Sequence, residues 1–204
     1  MRALVLNATL KASPEQSNTE ALARVVTDAL AAEGVEVSFV RLADHQIDPG
    51  VVSEAISDGD EWPAIREQIV AAEILVMATP TWVGQHSSLC QRVIERMDAL
   101  LSETSGDGTP IAYNKVAGIV VTGNEDGAHH IVGTVGQALN DIGYTLPGQN
   151  WTYWNKGPGP SEETYLTSDE QEWSITTGRA CASNLLAVAR ALQTTPIPSP
   201  PAAA

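Results

Sequence analysis

The stretch EILVMATPTWVG, residues 73–84, joins an apolar run to a loop of unusual composition. Residues 73–79 are apolar on both faces of an extended chain, which predicts a parallel strand buried between two helical layers. The run leads directly into Pro80 and Trp82, with Gly84 just behind them. A polar turn is the usual end of a core strand. The segment therefore predicts a central strand that ends in a specialised loop.

Strand-like runs and helical patterns alternate on both sides of this segment. Strands are predicted at 2–8, 35–42, 73–79, 115–122 and within 143–148, and helices at 18–33, 61–72, 87–101, 128–142 and 168–192. Such alternation produces βαβ units with right-handed crossovers and with helices on both faces of a parallel sheet. We therefore predict an α/β fold, a flavodoxin-like three-layer sandwich whose five-stranded parallel sheet has the order 2-1-3-4-5.

Length and charge limit the possible partners and the organisation of the chain. Its 204 residues suit one domain, predicted at 1–193, and the proline-rich residues 194–204 are predicted to form a disordered tail. The net charge of −14 disfavours nucleic acid and anionic membranes, which need a basic face. Without a signal peptide or a long apolar run, the protein is predicted to be cytoplasmic. Cys90 and Cys181 lie on apolar helical faces and are predicted to be core residues.

Three loops are expected at the carboxyl ends of the strands, where sheets of this type bind ligands. The first, residues 7–19, leads into a helix whose N-terminus offers N–H groups and the positive end of a dipole. Ser17 and Glu20 fit a capping box. Candidate phosphate donors in this loop are Thr9, Lys11, Ser17, Asn18 and Thr19. Alternatively, Ser17 is only the helix cap and the rest is a flexible loop.

The second and third loops each combine glycine with residues that could contact a ring. In residues 80–84, proline stiffens the chain, glycine allows close approach and Trp82 offers a flat face. Alternatively, Trp82 belongs to the core or to a subunit interface. In residues 122–128, two glycines flank a polar tip whose backbone N–H groups could bond the edge of a heterocycle. Alternatively, Glu125 and Asp126 form a plain solvated turn.

Several common motifs are missing from the sequence. No GxGxxG follows the first strand and no GxxxxGK[ST] occurs, which disfavours dinucleotide and Walker-type sites. A hydroxyl-rich loop suits a terminal phosphate monoester better than a pyrophosphate. No nucleophile–base set or carboxylate pair is present, so no catalytic side chain is predicted. No metal site is predicted either, because the adjacent His129 and His130 do not share a helix face. His86 could donate near a ligand or cap the next helix.

The motifs T-x-K-x(5)-S-N-T, TPTWVG and TGNEDG resemble those of the NAD(P)H-dependent FMN reductase group of the flavodoxin-like superfamily, over roughly residues 1–145. The resemblance implies FMN as cofactor, NAD(P)H as co-substrate, a flavin, quinone or similar small molecule as acceptor, and a homodimer or homotetramer. It implies phosphate ligands at Thr9, Lys11, Ser17, Asn18 and Thr19, ribityl and ring contacts at Pro80, Thr81, Trp82, Val83 and Gly84, and pyrimidine contacts at Thr122, Gly123, Asn124 and Gly127.

The sequence leaves two other functions open, an electron carrier of the flavodoxin type without its own substrate and a non-redox protein that has lost the flavin. Residues 148–167 are predicted to form a long aromatic loop, which is more than a carrier needs. This loop could cover the flavin or a partner subunit's site, or it could be a surface loop packed on its own aromatic side chains. Lys156 in this loop is a candidate for recognising the nicotinamide phosphate.

Overall fold

A computed structural model describes residues 1–200. The strands are β1 (Arg2–Asn7), β2 (Glu36–Arg41), β3 (Ile74–Trp82), β4 (Gln85–His86), β5 (Val116–Gly123) and β6 (Trp151–Asn155). The α-helices are α1 (Asn18–Ala32), α2 (Trp62–Ala71), α3 (Ser88–Met97), α4 (Ala128–Ile142) and α5 (Glu172–Thr194). Short 3-10 helices occur at Leu42–Asp44, Asp98–Ser102 and Tyr165–Thr167.

Parallel pairing orders the main strands β2-β1-β3-β5-β6, and β4 pairs antiparallel with β3 alone. In the central register, Leu6 of β1 lies beside Met77 of β3, and Ala78 of β3 lies beside Val120 of β5. Numbered among themselves, the five parallel strands have the order 2-1-3-4-5. The predicted flavodoxin-like sheet is therefore confirmed, with one short extra strand.

Alternate residues of each strand supply the two halves of the core. Leu4 and Leu6 pack with residues of α2, α3 and α4 on one face of the sheet, and Ala3 and Val5 pack with residues of α1 and α5 on the other. Cys90 belongs to the first half and Cys181 to the second, so the prediction that both are core residues is confirmed. Burial raises the pKa of each thiol to about 12, which makes both groups poor nucleophiles.

Ser17 begins α1 as the sequence predicts. Its hydroxyl accepts the Glu20 N–H at 3.1 Å, which supplies one of the partners that the first helical turn lacks. The reciprocal half of the predicted capping box does not form. The Glu20 carboxylate instead forms ion pairs with Arg24 and Arg41, each at 2.6 Å. The cap itself is confirmed, and Glu20 links α1 to the end of β2.

The fifth parallel strand lies later in the chain than the sequence predicts. Within residues 143–148, Thr145 forms only an isolated bridge with Val116. The strand is β6, which falls inside the stretch predicted to be a structureless loop. Its side chains alternate, with Thr152 and Trp154 buried and their neighbours half-buried, and aromatic and β-branched residues favour this environment. The predictions of a strand at 143–148 and of a long loop at 148–167 are therefore wrong.

The segment between β2 and α2, for which the sequence indicates no regular structure, is held by a buried ion pair. Arg96 and Asp60 have fully buried side chains and lie 3.0 Å apart. Arg96 also donates to the carbonyls of Asp48 (3.2 Å) and Glu54 (2.8 Å). These bonds tie an irregular, acidic stretch to the core face of α3.

The described part of the predicted tail makes hydrogen bonds. Ile197 N–H donates to Asn114 Oδ1 at 2.7 Å, and Asn114 Nδ2 donates to the Ile197 carbonyl at 3.2 Å. Residues 201–204 lie outside the described range, and disorder of the tail stays a prediction. Among residues 1–200, no helix has the combination of length and apolar character that crossing a membrane requires.

Candidate functional site

A pocket opens at the carboxyl ends of β1, β3 and β5, where the three predicted loops meet. Its lining consists of Thr9, Leu10, Lys11, Asn18, Thr19, Pro80, Thr81, Trp82, Thr122, Gly123, Asn124, Trp154, Thr164 and Tyr165. Four residues predicted to bind the cofactor are absent from that lining, namely Ser17, Val83, Gly84 and Gly127. The sequence did not indicate Leu10, Trp154, Thr164 or Tyr165 as site residues.

The first loop contributes neutral donors and one cation. Thr9 and Thr19 are buried, and the Thr19 hydroxyl lies 2.7 Å from the Thr122 hydroxyl, which links the first loop to the third. Lys11 is exposed at the rim. Ser17 is buried beneath the loop, where its oxygen caps α1 and lies 3.5 Å from Asn7 Nδ2. The end of the pocket beside α1 therefore combines hydroxyls, an amide and a helix N-terminus, all suited to an anion.

The second loop is the tip of a β-hairpin. Trp82 pairs with Gln85 across it, so that Val83 and Gly84 form a two-residue turn, with φ of 53° and 73°. Two positive φ values match the type I′ turn that suits hairpins, but this backbone is strained for a β-branched residue such as valine. The carboxylate of Glu125 accepts the Val83 N–H at 2.7 Å and holds the tip in place. Trp82 stays 53% exposed while lining the pocket.

Two glycines of the third loop allow it to approach the second loop closely. A methyl group at Gly127, whose φ is 135°, would lie 2.8 Å from the backbone of Gly84. A methyl group at Gly123 would lie 2.8 Å from Oγ1 and Cβ of Thr81. Real Cβ contacts do not come this close, so the glycine spacing of TGNEDG has a packing reason. Gly84 and Gly127 shape the pocket wall from behind and do not line it.

The acidic residues of the third loop bond to backbone N–H groups. Glu125 accepts from Val83, and Asp126 accepts the N–H of its neighbour Gly127 at 2.7 Å. Neither residue lines the pocket. The third loop therefore presents Thr122, Gly123 and Asn124 to the pocket, without a carboxylate.

Residues 156–167 form a fourth side of the pocket, bound to the predicted loops by backbone groups. Ser161 N–H donates to the Asn124 carbonyl at 3.0 Å, and Lys156 N–H donates to the Gly123 carbonyl at 3.2 Å. Farther along, Leu166 N–H donates to the side-chain carbonyl of Asn18 at 2.9 Å. Asn18 therefore holds this segment in addition to lining the pocket. The aromatic residues among glycines and prolines were the only signal of this wall in the sequence.

Lys156 is neutralised by two carboxylates of its own region. Its ammonium lies 3.0 Å from Glu163 and 2.9 Å from Glu170. Hydrogen bonds to Glu170 and Glu163 raise the pKa of Lys156. These contacts argue against the predicted role in binding a nicotinamide phosphate.

The aromatic residues of β6 divide between two environments. Trp154 is buried and lines the pocket, and its indole N–H donates to the Glu170 carbonyl at 3.1 Å. Trp151 and Tyr153 stack at 5.8 Å and are contacted edge-on by His129. The latter group does not line the pocket, and its aromatic rings pack on one another as in the predicted alternative, but they do so from a strand and a helix and not from a surface loop.

The other histidines near the second loop bond to the protein. His130 Nε2 lies 2.9 Å from Gln85 Oε1, and His86 Nδ1 lies 3.2 Å from the Ser87 carbonyl. Neither histidine is among the residues that line the pocket.

One buried polar atom in the pocket lacks a partner. Thr81 is 4% exposed, and its hydroxyl finds no hydrogen-bond partner among residues 1–200. A buried hydroxyl without a partner is costly, so a polar group of a ligand is the natural partner. With the neutral donors beside α1 and the flat face of Trp82, the pocket fits a planar molecule that carries a phosphate.

The family model for NADPH-dependent FMN reductases matches residues 1–158. The chain belongs to this family. The resemblance suggested by the sequence motifs is thereby confirmed, and membership identifies a flavodoxin-like, flavin-dependent enzyme of oxidoreductase type.

Two comparisons extend over nearly the whole chain. The 8-demethyl-8-aminoriboflavin-5'-phosphate synthase of Streptomyces davaonensis is 36% identical over 207 residues, which cover 96% of this chain and 80% of that protein. The crystal structure of RosB with bound 8-demethyl-8-formylriboflavin-5'-phosphate matches with a TM-score of 0.85 and 34% identity, and covers 97% of this chain and 82% of that one.

A third relative is much longer than this chain. The divalent metal cation transporter MntH of Mycobacterium bovis is 42% identical over 166 residues. The match covers 79% of this chain but only 24% of that protein. The present chain thus spans a minor part of that relative.

Proposed function

We propose that this protein transfers hydride or electrons from NAD(P)H, through bound FMN, to a flavin, quinone or similar small acceptor. The observation that carries the proposal is the pocket itself, which combines a helix N-terminus, buried hydroxyls and an exposed tryptophan face at the carboxyl ends of the central strands. The partnerless Thr81 hydroxyl supports a polar ligand there. Family membership supports FMN as that ligand.

Different residues of the pocket would bind different parts of such a ligand. Thr9, Lys11, Asn18 and Thr19 would bind the phosphate beside the N-terminus of α1. The flat wall from Pro80 to Trp82 would flank the ring system. Bound FMN would supply the capacity to accept hydride and pass on electrons. The side chains bind, orient and partly shield the ligand, and the proposal requires no acid or base from them.

Absorbance and steady-state turnover together test this proposal. Purified protein reconstituted with FMN should bind the flavin and should oxidise NADH or NADPH continuously when a quinone or free flavin is supplied. Flavin binding without turnover on any acceptor would favour the electron carrier of the flavodoxin type. Failure to quench FMN fluorescence on titration would favour the non-redox alternative and contradict the proposal.

A second candidate function has the flavin phosphate as the substrate that is chemically changed. It is favoured by the 36% and 34% identity, over nearly the full chain, to the aminoriboflavin phosphate synthase and to RosB. Mass spectrometry of the flavin recovered after aerobic incubation with the protein separates the candidates. An altered flavin mass supports modification, whereas an unchanged mass together with NAD(P)H turnover supports the cofactor role.

We also propose that the protein is a cytoplasmic homodimer or homotetramer. Val83, at the hairpin tip beside the pocket, is 88% exposed, and its neighbour Trp82 is 53% exposed. Burial of these apolar groups against a second copy would be favourable. Light scattering on the purified protein should give a mass at least twice 21.6 kDa. A monomer at micromolar concentration would contradict the oligomer.

A further inference from the structure

We propose that Tyr165 is a ligand-binding residue whose hydroxyl selects flavins with a 5'-phosphate over flavins without one. The inference rests on the proposed binding of FMN and adds a specificity determinant outside the three loops that the family motifs indicate. The observations that support it are the position of the residue, the packing of its ring against Trp154 and the absence of a partner for its hydroxyl among residues 1–200.

Hydrogen bonds place Tyr165 beside the N-terminus of α1. The neighbouring Leu166 donates its N–H to Asn18, the first residue of that helix. Thr164 and Thr167 bond reciprocally at the ends of the 3-10 turn that contains Tyr165, with the Thr164 N–H 3.0 Å from Thr167 Oγ1. Tyr165 therefore lines the pocket at the end where the first-turn N–H groups of α1 have no intrahelical acceptor.

The ring of Tyr165 is packed against a second aromatic ring. It lies 6.2 Å from the ring of Trp154 in an edge-on arrangement. The indole N–H of Trp154 is engaged with the Glu170 carbonyl, so Trp154 offers no donor to the pocket. Trp154 thus packs against the tyrosine ring within the pocket wall.

The phenol of Tyr165 is a donor without an acceptor. Tyr165 is 4% exposed and its hydroxyl has no hydrogen-bond partner among residues 1–200, but the hydroxyl oxygen is not one of the fully buried atoms without a partner, so solvent reaches it. Burial raises its pKa, so the group stays protonated and able to donate at neutral pH. A phosphate oxygen would accept from this donor, whereas a flavin without a phosphate would leave the hydroxyl to water, so loss of the hydroxyl should weaken binding of the phosphorylated flavin selectively.

Because the protein is strongly acidic, binding of a phosphate in this pocket needs neutral hydrogen-bond donors. The protein carries a net charge of −14, and among residues 1–200 Lys11 is the one cationic side chain in the pocket lining. Lys156, the cationic residue of segment 156–167, is already paired with Glu163 and Glu170. Phosphate recognition therefore depends on hydroxyl, amide and backbone donors, to which Tyr165 adds one.

The test compares the affinities of wild type and Tyr165→Phe for FMN and for riboflavin by quenching of flavin fluorescence. Loss of one hydrogen bond to a charged phosphate should weaken FMN binding by about tenfold or more, and riboflavin binding by less than about twofold. The 31P resonance of bound FMN should also shift between wild type and variant. Thermal unfolding of both proteins checks that the variant is folded.

Tyr144→Phe is the matched control, because Tyr144 is 2% exposed, makes no side-chain hydrogen bond within residues 1–200 and does not line the pocket. It should change neither affinity. Equal FMN affinity of wild type and Tyr165→Phe would overturn the inference and leave the proposed function intact. Equal weakening of both flavins would also overturn it, since that indicates packing alone. Wild type that binds no FMN would overturn the proposed function as well.

Discussion

The buried Arg96–Asp60 pair and the pocket both bury polar groups, but they do so with opposite chemistry. The first region pairs full charges, and Asp60 also accepts N–H groups from Asp48, Ile56 and Trp62. The pocket buries neutral hydroxyls, and one of them, that of Thr81, has no partner among residues 1–200. Charge pairing holds the irregular segment in one conformation, because each charge already has its partner. Neutral hydroxyls in the pocket can still form hydrogen bonds to a ligand.

Lack of a partner alone does not identify a ligand site. Arg96 Nε and Trp62 Nε1 are also buried without a hydrogen-bond partner among the described residues, yet neither residue lines the pocket. The guanidinium of Arg96 lies over the Trp62 ring at 5.4 Å, which supplies a cation–π contact between two buried side chains. The informative feature of Thr81 is the combination of an unpartnered atom with a place in the pocket lining.

Removing the charge of Arg96 should produce the largest effect on stability. Arg96→Met leaves the Asp60 carboxylate buried and uncompensated, so we expect the free energy of unfolding to fall by about 3–5 kcal/mol. Urea unfolding followed by circular dichroism measures the loss. Arg66→Met is the control, because Arg66 and Glu103 form a partly exposed pair whose loss should cost less than about 1 kcal/mol. Equal losses in the two variants would contradict the contrast between buried and surface pairs.

Asp60 should also make stability depend on pH. Burial opposes its ionisation, but the backbone N–H groups of Ile56, Trp62 and Asp48 and the charge of Arg96 outweigh this, and its pKa lies below the ordinary 3.8. The stabilisation is therefore complete above about pH 4 and is lost as the pH falls through the lowered pKa of the folded state. Urea midpoints between pH 6 and 2 should show this loss, and Asp60→Asn should remove that contribution. An identical acid dependence in the variant would contradict the assignment.

Gly127→Ala should have the next largest effect, and it should affect the pocket. The added methyl group meets the backbone of Gly84 at 2.8 Å in a left-handed conformation, so we expect a loss of about 1–3 kcal/mol of stability. FMN affinity should fall too, because the hairpin that carries Trp82 must shift. Gly106→Ala is the control, since nothing lies within 4 Å of the added carbon and its φ is not positive. Unchanged FMN affinity in Gly127→Ala would show that the hairpin does not shape the site.

Thr19→Ala should weaken FMN binding by about 1–3 kcal/mol, because Thr19 lines the pocket and the variant would lose the bond proposed between its hydroxyl and the phosphate. Ser17→Ala should instead lower stability by about 1 kcal/mol through loss of the α1 cap. Isothermal titration with FMN and urea unfolding on both variants separate the two roles. A loss of FMN affinity in Ser17→Ala equal to that in Thr19→Ala would support the phosphate ligand that the motif implies for Ser17.

The sequence predicted what local pattern and parallel-sheet geometry determine. The runs at 2–8, 35–42, 73–79 and 115–122 gave four strands in their correct order, and the sheet rule brought the three loops together. The sequence pattern did not reveal the strand WTYWN, residues 151–155, because aromatic residues near glycine and proline resemble a loop. The alternation of buried and half-buried side chains that marks it as a strand is visible in the structure.

The fourth wall of the pocket could not be predicted from local pattern. Its position depends on bonds from Leu166 to Asn18 and from Ser161 to Asn124, which join residues 148 and 37 positions apart. The orientation of the Glu125 side chain also depends on tertiary contacts, because its carboxylate accepts the Val83 N–H of a different loop. Sequence pattern indicates which loops share an edge of the sheet, but not which side chains in them are already occupied.

Glu125→Ala should produce the smallest effect and tests whether the strained tip is held by its carboxylate. Val83 keeps a positive φ of 53° while donating to Glu125 at 2.7 Å, and loss of one such bond should cost about 0.5–1.5 kcal/mol of stability. Hydrogen exchange of the Val83 amide should accelerate, and FMN affinity should fall only slightly because Glu125 does not line the pocket. Glu125→Gln retains an acceptor and should restore most of the protection. Fast exchange in the glutamine variant would mean that the negative charge, rather than the hydrogen bond, holds the tip beside Trp82.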